Sequence, residues 1–363
     1  MIKEMLENRH LPPLLSMSDG REVTRDNFPE RRREMLGILE EMEYGKMPEK
    51  CGETIWAEVS QEGNICGSAV TKRVEITFPT PDGKSFTFPV SVTAPKSASA
   101  ENRLPALVYI SFGYHKYYPI EEVIEQNVIV AEMIMEDVAL DCNEDGFRNL
   151  MAEHYTDNGK RGKTDTGKIG MWAFAASRVL DYLLSLDCVC EKHVGVMGHS
   201  RRGKTALWAG ANDERFTHVF SNDSGCSGAA VTRHKVGETF PIILKNFPYW
   251  FCENFASVAE SVELSENTSF DQHYLLACCC PRKVYVSSAS LDEWADPVSE
   301  YLCCAAASPA WEIYGMSGFV RPNRLPAEWE RFADGDIGYH LRPGGHFLSR
   351  HDWMRFIEFL KKA

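Results

Sequence analysis

The chain has 363 residues, of which 44% are hydrophobic and 25% are charged. These proportions are ordinary for a globular enzyme, and the length suits a large core in one elaborated α/β domain. The formal net charge is −13, which disfavours nucleic acid and anionic membrane as partners because both need a basic face. Residues 1–13 are charged and lack the apolar segment of a signal peptide, so we expect a cytoplasmic protein. The sequence leaves the oligomeric state open.

The twelve cysteines predict buried thiols rather than a disulfide framework. Three of them are consecutive at 278–280 and two are adjacent at 303–304, and neighbouring cysteines rarely bridge each other. Neither the Cys-x-x-Cys spacing of a zinc site nor a His-Glu-x-x-His ligand set is found in the sequence. We therefore expect a reducing compartment, no metal and no cofactor.

The first 95 residues predict a helical segment followed by an antiparallel meander. Residues 1–50 are charged and partly helical, with the best amphipathic stretch at 25–42, and are predicted to form an N-terminal helical extension. Apolar and polar residues then alternate over 54–59, 74–78 and 86–92, with Gly and Pro between the runs. This period of two is typical of antiparallel strands, here the first strands of a mixed sheet.

From residue 104 onwards, short apolar runs alternate with helical patterns. The apolar runs look like buried parallel strands and cover residues 106–111, 128–133, 194–197, 219–221 and 284–287. The clearest helices between them are 170–186 and 203–211. Strands that alternate with helices predict a doubly wound, mostly parallel sheet, and hence a three-layer α/β/α sandwich over 51–363. Residues 229–275 exceed one crossover helix and are expected to form an insertion that borders the site.

A serine lies between the strand that ends at Gly198 and the helix predicted to begin at Gly203. This strand–Ser–helix pattern is typical of a nucleophile elbow, in which the serine sits in a strained turn and needs small neighbours. Gly198 at −2 and Gly203 at +3 provide that space around Ser200. The usual Gly-x-Ser-x-Gly pattern is not met, because Arg202 stands at +2. A serine that caps the helix is therefore the alternative interpretation.

The segment around Ser200 resembles the Gly-Cys-Ser-Arg-x-Gly-Lys motif of glucuronoyl esterases, carbohydrate esterase family 15. In this chain the motif is Gly198-His199-Ser200-Arg201-Arg202-Gly203-Lys204, with His199 in place of the more familiar cysteine. The resemblance extends over roughly residues 105–358. Further matching runs follow in the same order at 172–178, 221–226, 248–255, 294–297 and 342–346. The resemblance implies an α/β-hydrolase fold and a serine esterase that needs no metal.

His346 is the predicted general base. A serine hydroxyl needs a histidine to take its proton and an acid to orient that histidine, in the chain order Ser, acid, His. His346 follows two glycines and precedes the final predicted helix, which is where this fold places its base. The competitors are His340, within a predicted strand, and His351, which leads into the final helix.

Two aspartates compete for the role of the orienting acid. Asp292 lies just beyond the strand at 284–287, the usual hydrolase position, and is favoured. Asp223 lies just beyond the strand at 219–221, where known glucuronoyl esterases commonly place a glutamate. Asp296 is a third candidate, although an aspartate before a proline is more typical of a turn.

The remaining candidate residues surround the serine. The backbone N–H of Arg201 is expected to point into the oxyanion hole, and the resemblance implies that its guanidinium also contributes. The resemblance further implies that Lys204 binds hydroxyls of a uronate sugar. Trp294 is predicted to stack on a sugar face, and Trp250 is a second candidate with an equally reasonable place in the core. The run Phe112-Gly113-Tyr114 is the usual place for a second oxyanion N–H.

These residues predict a serine carboxylester hydrolase that acts on a small-molecule or oligosaccharide ester. The resemblance implies cleavage of 4-O-methyl-glucuronoyl esters, of the xylan–lignin type, by a Ser–His–Asp triad through an acyl-enzyme. An acetyl xylan esterase or another small-acyl esterase is the first alternative, because fold analogy does not separate these chemistries. A non-catalytic carbohydrate-binding relative that kept the fold is the second.

Overall fold

The computed structural model describes residues 1–64, 67–113 and 118–362. Within these residues, ten strands form one continuous sheet. In chain order they are β1 (Ile55–Asn64), β2 (Ala69–Pro79), β3 (Ser85–Pro95), β4 (Leu104–Ser111), β5 (Ile129–Ile134), β6 (Val189–His199), β7 (His218–Asn222), β8 (Lys283–Ala289), β9 (Arg331–Phe332) and β10 (Ile337–Arg342). Every predicted strand is present, and most are longer than the apolar run that signalled them, because polar residues at their ends also pair.

The sheet is mixed, with parallel strands in the middle and antiparallel strands at both edges. Its order is β1-β2-β3-β5-β4-β6-β7-β8-β10-β9. Strands β5, β4, β6, β7, β8 and β10 are mutually parallel. Strands β1 to β3 form an antiparallel extension, as predicted, and β9 pairs antiparallel with β10. The carboxyl ends of β6, β7, β8 and β10 therefore meet at one edge, where the loops bring side chains together.

Thirteen α-helices lie within the described residues. In chain order they are α1 (Ile2–Asn8), α2 (Phe28–Leu39), α3 (Ile120–Glu125), α4 (Met151–Tyr155), α5 (Lys168–Leu184), α6 (Arg201–Asn212), α7 (Phe240–Asn246), α8 (Ala256–Ala259), α9 (Val262–Glu266), α10 (His273–Ala277), α11 (Pro297–Ala307), α12 (Pro309–Glu312) and α13 (Arg350–Leu360). A π-helical turn covers Glu40–Tyr44, and 3-10 turns cover Met135–Asp137, Pro248–Trp250 and Glu253–Phe255. Helices α7 to α10 fill the segment between β7 and β8, where the sequence predicts an insertion. In the described part of the chain, none of the helices combines the length and apolarity needed to cross a membrane.

Helices cover both faces of the sheet. Helices α5 and α6 pack on one face, against β4 and β6, and contribute to the larger hydrophobic core. Helices α3 and α13 cover the other face, where Val123 and Trp353 pack with Met197, Phe220 and Tyr285 of the strands. This arrangement confirms the predicted three-layer α/β/α sandwich. Because both faces are covered, the central strands consist of nearly continuous apolar runs.

The N-terminal fifty residues belong to the same core as the sheet. Phe28 and Met35 of α2 are buried in the larger hydrophobic cluster. The Tyr44 ring stacks on Trp208 of α6, with 4.5 Å between the ring centroids. The Tyr44 hydroxyl also donates a hydrogen bond to the Ser227 carbonyl at 2.8 Å. The extension therefore packs directly against the helix that follows the motif serine.

Helix α6 begins two residues earlier than the sequence predicts, at Arg201 rather than Gly203. Gly203 lies within the first turn, where an added Cβ would be 2.9 Å from Ser221 Oγ and 2.9 Å from Ser224 Cβ. The glycine is therefore needed for close packing of the helix against the loop after β7, and it does not mark the helix start.

The cysteines within the described residues are free thiols, in agreement with the sequence prediction. The three consecutive cysteines at 278–280 follow α10 and are buried. Burial raises the pKa of the Cys278 thiol to about 12, so this group stays protonated.

Candidate active site

Ser200 lies in a sharp turn between β6 and α6. Its backbone has φ 58° and ψ −128°, a conformation that residues other than glycine rarely adopt. A Cβ on Gly198 would lie 2.3 Å from the Arg202 carbonyl, so the turn requires glycine there. Gly203 provides space on the helix side. A strained serine between glycines at −2 and +3 has the geometry of a nucleophile elbow.

The hydroxyl of Ser200 is not used to cap α6. Ser200 occupies the N-cap position, yet within the described chain its side chain makes no capping hydrogen bond. Its backbone N–H donates to the Asn222 carbonyl at 2.9 Å, and its carbonyl accepts from the Lys204 N–H at 3.1 Å. The backbone is fixed by these bonds, and the residue borders a cavity. The geometry therefore favours the nucleophile over the helix cap.

His346 and Asp292 form a hydrogen-bonded pair at the same edge of the sheet. His346 Nδ1 donates to Asp292 Oδ2 at 2.6 Å, and the other Asp292 oxygen accepts from the Ala295 N–H at 3.2 Å. The carboxylate is 2% exposed and the imidazole 39%. Burial acts to raise the pKa of Asp292, but the hydrogen bond and the charge of His346 outweigh it and hold the pKa below its ordinary value. Asp292 therefore stays ionised and can orient the imidazole.

A second imidazole packs against His346. The ring centroids of His199 and His346 are 4.4 Å apart. Asn222 Nδ2 donates to Ser287 Oγ at 2.8 Å, so its Oδ1 accepts the hydrogen bond from His199 Nδ1 at 2.6 Å. Burial, and then the neighbouring His346, lower the pKa of His199 to about 3. His199 is therefore neutral and adds no positive charge beside His346.

Asp223, the second candidate acid, is bonded to other groups. Its Oδ1 accepts from the Ala289 N–H at 2.8 Å and its Oδ2 from Arg342 Nη2 at 3.2 Å. Oxygen and nitrogen atoms of Asp223, Asp292 and His346 nevertheless lie within 4.8 Å of one another. Ligand atoms this close together could bind a cation, but the positive guanidinium of Arg342, which bonds to Asp223, would repel it. The hydrogen bonds favour Asp292 as the orienting acid and place Asp223 beside it.

The other candidate histidines and the third aspartate have different partners. His340 lies in β10 with a buried ring, whose Nε2 bonds to Asp352 at 2.8 Å and whose Nδ1 bonds to the Tyr285 hydroxyl at 3.1 Å. His351 lies in α13, with its ring centroid 5.2 Å from that of His340. Asp296 caps α11 by accepting from a backbone N–H of the first turn at 3.0 Å. These contacts give all three residues structural roles.

A cavity of about 210 Å³ opens beside Ser200. Its lining comes from the turn at Ser200, the start of α6, the loops after β7 and β8, the insertion, and the loop that carries His346. The lining residues are Ser200, Arg201, Lys204, Asp223, Ser224, Gly225, Glu238, Phe247, Trp250, Trp294, Ala295 and His346. Ser200 and His346 border the same space, so a nucleophile and a base can reach one bound ester. Charged groups and aromatic rings line the walls together, which suits a polar ligand with an apolar face.

The Arg201 guanidinium lies over an aromatic pair of the insertion. Its Cζ is 4.7 Å from the ring centroid of Trp250 and 5.2 Å from that of Phe247. The two rings stack face to face at 3.9 Å. Arg201 Nη1 also donates to Asp141 Oδ2. The side chain is 24% exposed, so its positive charge is available to an anion formed at the adjacent serine.

Lys204 reaches the cavity wall from the first turn of α6. Its Nζ donates to the carbonyls of Ser224 and Cys226, both at 2.6 Å, and contacts Glu238 Oε2 at 3.4 Å. The ammonium therefore holds the loop after β7 in place. A bond to a sugar hydroxyl, as the sequence predicts, requires the ligand to share or replace one of these contacts.

The two candidate tryptophans differ in exposure. Trp294 is 48% exposed, whereas Trp250 is 2% exposed and bonds through Nε1 to Asp141 at 2.8 Å. Trp294 is therefore the more accessible ring for stacking on a sugar, and Trp250 is a largely buried residue of the cavity lining. The second oxyanion donor predicted in the run 112–114 falls in part on Tyr114, which lies outside the described residues. Gly113 has φ 80°, which turns the chain after β4.

Known proteins are similar to this chain in sequence and in fold. The sequence model of a family described as "Glucuronyl esterase, fungi" matches residues 76–315. The carbohydrate esterase MZ0003, from an unknown prokaryotic organism, is 33% identical over 96% of this chain and 88% of that protein. The chain belongs to the glucuronoyl esterase family. A solved glucuronoyl esterase from Solibacter usitatus is 30% identical, covers 97% of both chains and has a TM-score of 0.87. The 4-O-methyl-glucuronoyl methylesterase of Hypocrea jecorina is 28% identical over 88% of this chain, which spans 65% of that relative.

Membership of the family confirms the resemblance inferred from the motif around Ser200, and it makes this glucuronoyl esterase relative a carboxylic ester hydrolase. Three residues of its site escaped the sequence analysis, namely Asp141, Glu238 and Phe247. Asp141 follows the carboxyl end of β5, and an acid beyond a parallel strand is a usable signal. Glu238 and Phe247 belong to the insertion, where no periodic pattern distinguishes residues of a site from structural ones.

Proposed function

We propose that this glucuronoyl esterase relative hydrolyses esters in which a glucuronic acid unit, of the 4-O-methyl-glucuronoyl type, is the acyl part. The meeting of the strained Ser200 with the His346–Asp292 pair at one cavity carries the proposal. Arg201 and Lys204 add positive charge to the walls, which suits an oxygen-rich acyl group better than an aliphatic one. The relative from Hypocrea jecorina is named for this ester class.

The proposed reaction passes through an acyl-enzyme. His346 takes the hydroxyl proton of Ser200 on Nε2, because its Nδ1 already donates to Asp292. Ser200 Oγ attacks the ester carbonyl carbon, and the tetrahedral intermediate collapses when His346 protonates the leaving alcohol. Water then attacks the acyl-enzyme with His346 again as the base, which releases the uronic acid and restores Ser200.

The oxyanion of the tetrahedral intermediate forms at the N-terminus of α6. The first N–H groups of a helix lack partners within the helix and point outward, with the positive end of the helix dipole behind them. Arg201 is the first residue of α6, so it contributes both a backbone N–H and a guanidinium on the side of the serine. Removing one such donor costs about 10²–10³-fold in kcat in other hydrolases.

The proposal is tested by hydrolysis of benzyl glucuronate beside p-nitrophenyl acetate, with the wild type, Ser200→Ala and Ser257→Ala. Ser257 is an exposed serine of α8 and serves as the matched control. We expect cleavage of the uronate ester by the wild type and Ser257→Ala, and its loss in Ser200→Ala.

Three other outcomes would change the assignment. Cleavage of the acetate alone would move the substrate to small acyl groups, as in an acetyl xylan esterase. Activity that survives in Ser200→Ala would identify another nucleophile. Failure of Ser200 to react with a fluorophosphonate probe would support a carbohydrate-binding protein without catalysis.

A further inference from the structure

We propose that Asp141 is a positioning residue for the reaction: its carboxylate fixes the Arg201 guanidinium where it stabilises the oxyanion formed when Ser200 attacks. This inference rests on the proposed function, because it requires Arg201 to act on that oxyanion. Three observations support it. Helix α6 does little to orient the Arg201 side chain, the Asp141 carboxylate has a fixed orientation, and the loop that carries Asp141 is attached to the core.

The helix that carries Arg201 does little to orient its side chain. Arg201 is the first residue of α6, where the helix dipole disfavours a cation. Its side chain is 24% exposed, and its Nε has no hydrogen-bond partner among the described residues. Stacking on Trp250 and Phe247 fixes the distance of the guanidinium from the rings but leaves it able to slide across them. The bond from Nη1 to Asp141 Oδ2 fixes its direction.

The Asp141 carboxylate is itself oriented by two aromatic donors. Its Oδ1 accepts from Trp250 Nε1 at 2.8 Å and from the Tyr249 hydroxyl at 3.2 Å, and it shares the proton of that hydroxyl with the Asp141 backbone carbonyl at 3.1 Å. The carboxylate is 9% exposed. Two donors on one oxygen determine the rotation of the group, so its Oδ2 is directed at Arg201. The insertion therefore supplies both the rings beneath Arg201 and the donors that orient its counter-ion.

The loop that carries this aspartate is attached to the core on both sides. The buried Lys168 donates from Nζ to the carbonyls of Leu140 and Cys142, at 2.6 and 2.8 Å. Trp172 donates from Nε1 to the Ala139 carbonyl at 2.9 Å. Both donors belong to α5, which packs against the sheet. The carboxylate is therefore part of a rigid framework, and the half-buried guanidinium adapts to it.

The Asp141 carboxylate has two opposite effects on the rate: its negative charge weakens the field of Arg201, and its hydrogen bond orients the guanidinium. A carboxylate beside Arg201 weakens the positive field that the oxyanion meets, so removing its charge would speed the reaction if the field alone mattered. If orientation matters more, the same change slows the reaction, because the guanidinium moves toward water and away from the oxyanion. The sign of the change in kcat therefore distinguishes the two effects.

A double-mutant cycle with benzyl glucuronate tests the inference. It compares the wild type, Asp141→Asn, Arg201→Gln and the double variant. Asparagine keeps an oxygen for Trp250 and Tyr249 but places an NH2 group opposite the guanidinium, so it removes both the negative charge and the acceptor that Arg201 uses. With Arg201 unchanged, we expect Asp141→Asn to lower kcat about tenfold and to change KM less than about threefold. In the Arg201→Gln background, the same change should lower kcat less than about twofold.

Asp137→Asn is the matched control. It removes a half-buried carboxylate from the 3-10 turn that precedes the same loop. We expect kcat to stay within about twofold of the wild type. The midpoint of thermal unfolding, measured for every variant, separates a loss of rate from a loss of folded protein.

Several results would overturn the inference. An equal loss of kcat in both backgrounds would mean that Asp141 acts independently of Arg201, as a structural residue does. An unchanged or raised kcat in Asp141→Asn would mean that orientation is not limiting. If the wild type cleaves p-nitrophenyl acetate but not the uronate ester, the proposed substrate fails, and the same cycle on the acetate still tests Asp141. A protein inactive on both esters would overturn both proposals.

Discussion

Two histidine–aspartate pairs lie at the same edge of the sheet and differ in their access to the cavity. His346 and Asp292 are 2.6 Å apart, with the imidazole 39% exposed. His340 and Asp352 are 2.8 Å apart, with the imidazole 1% exposed. The hydrogen bonds are nearly equal in length, so the bond itself does not decide which pair is suited to catalysis.

The second ring nitrogen distinguishes the two pairs. His340 uses both nitrogens, because its Nδ1 bonds to the Tyr285 hydroxyl, and burial lowers the pKa of its imidazole. Asp352 is also shared, since it accepts from Arg342 Nε at 2.8 Å and from Ser349 Oγ at 2.6 Å. His346 instead borders the cavity together with the motif serine. A general base needs a nitrogen that can receive a proton from the nucleophile, and burial in a shared network removes that possibility.

Replacing the two histidines should separate the pairs most strongly. We expect His346→Ala to lower kcat for benzyl glucuronate by about 10³-fold or more, because the serine loses its base. His340→Ala should keep kcat within about threefold while lowering the free energy of unfolding, measured in urea. Comparable losses of kcat in both variants at equal stability would remove the distinction between the pairs.

The two candidate acids give the next largest difference. Asp292→Asn should lower kcat about 10³-fold, because an uncharged amide stabilises neither the imidazolium form of His346 nor the neutral tautomer that carries its proton on Nδ1. Asp223→Asn should have a much smaller effect on kcat but lower stability, because Arg342 loses a buried hydrogen-bond acceptor. Steady-state kinetics and urea unfolding of both variants check this, and the reverse order would assign Asp223 as the acid.

The buried pair should contribute to stability rather than to rate. Asp352→Asn leaves Arg342 and His340 with a weaker partner, so we expect a loss of about 3 kcal/mol in the free energy of unfolding at pH 7. The kcat of the folded protein should stay within about threefold. Urea denaturation monitored by tryptophan fluorescence measures the first quantity, and a variant of unchanged stability would contradict the proposed role of the network.

The smallest expected effect is a dependence of stability on acid pH. Burial acts to raise the pKa of Asp352, but the bond to His340 and the charges of His340 and Arg342 outweigh it and lower the pKa to about 2. The unfolded value is about 3.9, so this stabilisation is complete above about pH 5 and is lost as the pH falls toward 2. The stability advantage of the wild type over Asp352→Asn should therefore shrink by about 2 kcal/mol between pH 5 and pH 2. An advantage that stays constant over this range would contradict the lowered pKa.

The sequence predicts the sheet and the serine, histidine and acid because each of these depends on local order. Parallel strands give apolar runs of recognisable length, and their carboxyl ends share one edge, so residues after them come together. The same reasoning favours Asp292 over Asp223 but leaves Asp223 as an alternative. Both aspartates follow parallel strands. What distinguishes them in the structure is the hydrogen bond that Arg342, a residue of β10, donates to Asp223.

The contacts of the Arg201 side chain could not be predicted from the sequence either. Asp141 is sixty residues away along the chain, and the two aromatic rings under the guanidinium lie in an insertion with no regular pattern. Long-range partners of this kind depend on how separate loops pack, which no local periodicity records. The cytoplasmic location stays a prediction, since it rests on the composition of residues 1–13.

The backbone conformation of Ser200 implies a trade-off between stability and activity. A non-glycine residue in such a conformation costs on the order of 1–3 kcal/mol, which the surrounding sheet and helix must supply. Glycine would adopt the same turn without that strain, so Ser200→Gly should give an inactive protein that unfolds at a higher temperature than Ser200→Ala. Selection for thermal stability alone would therefore remove the nucleophile, and its retention in this chain is consistent with selection for hydrolysis.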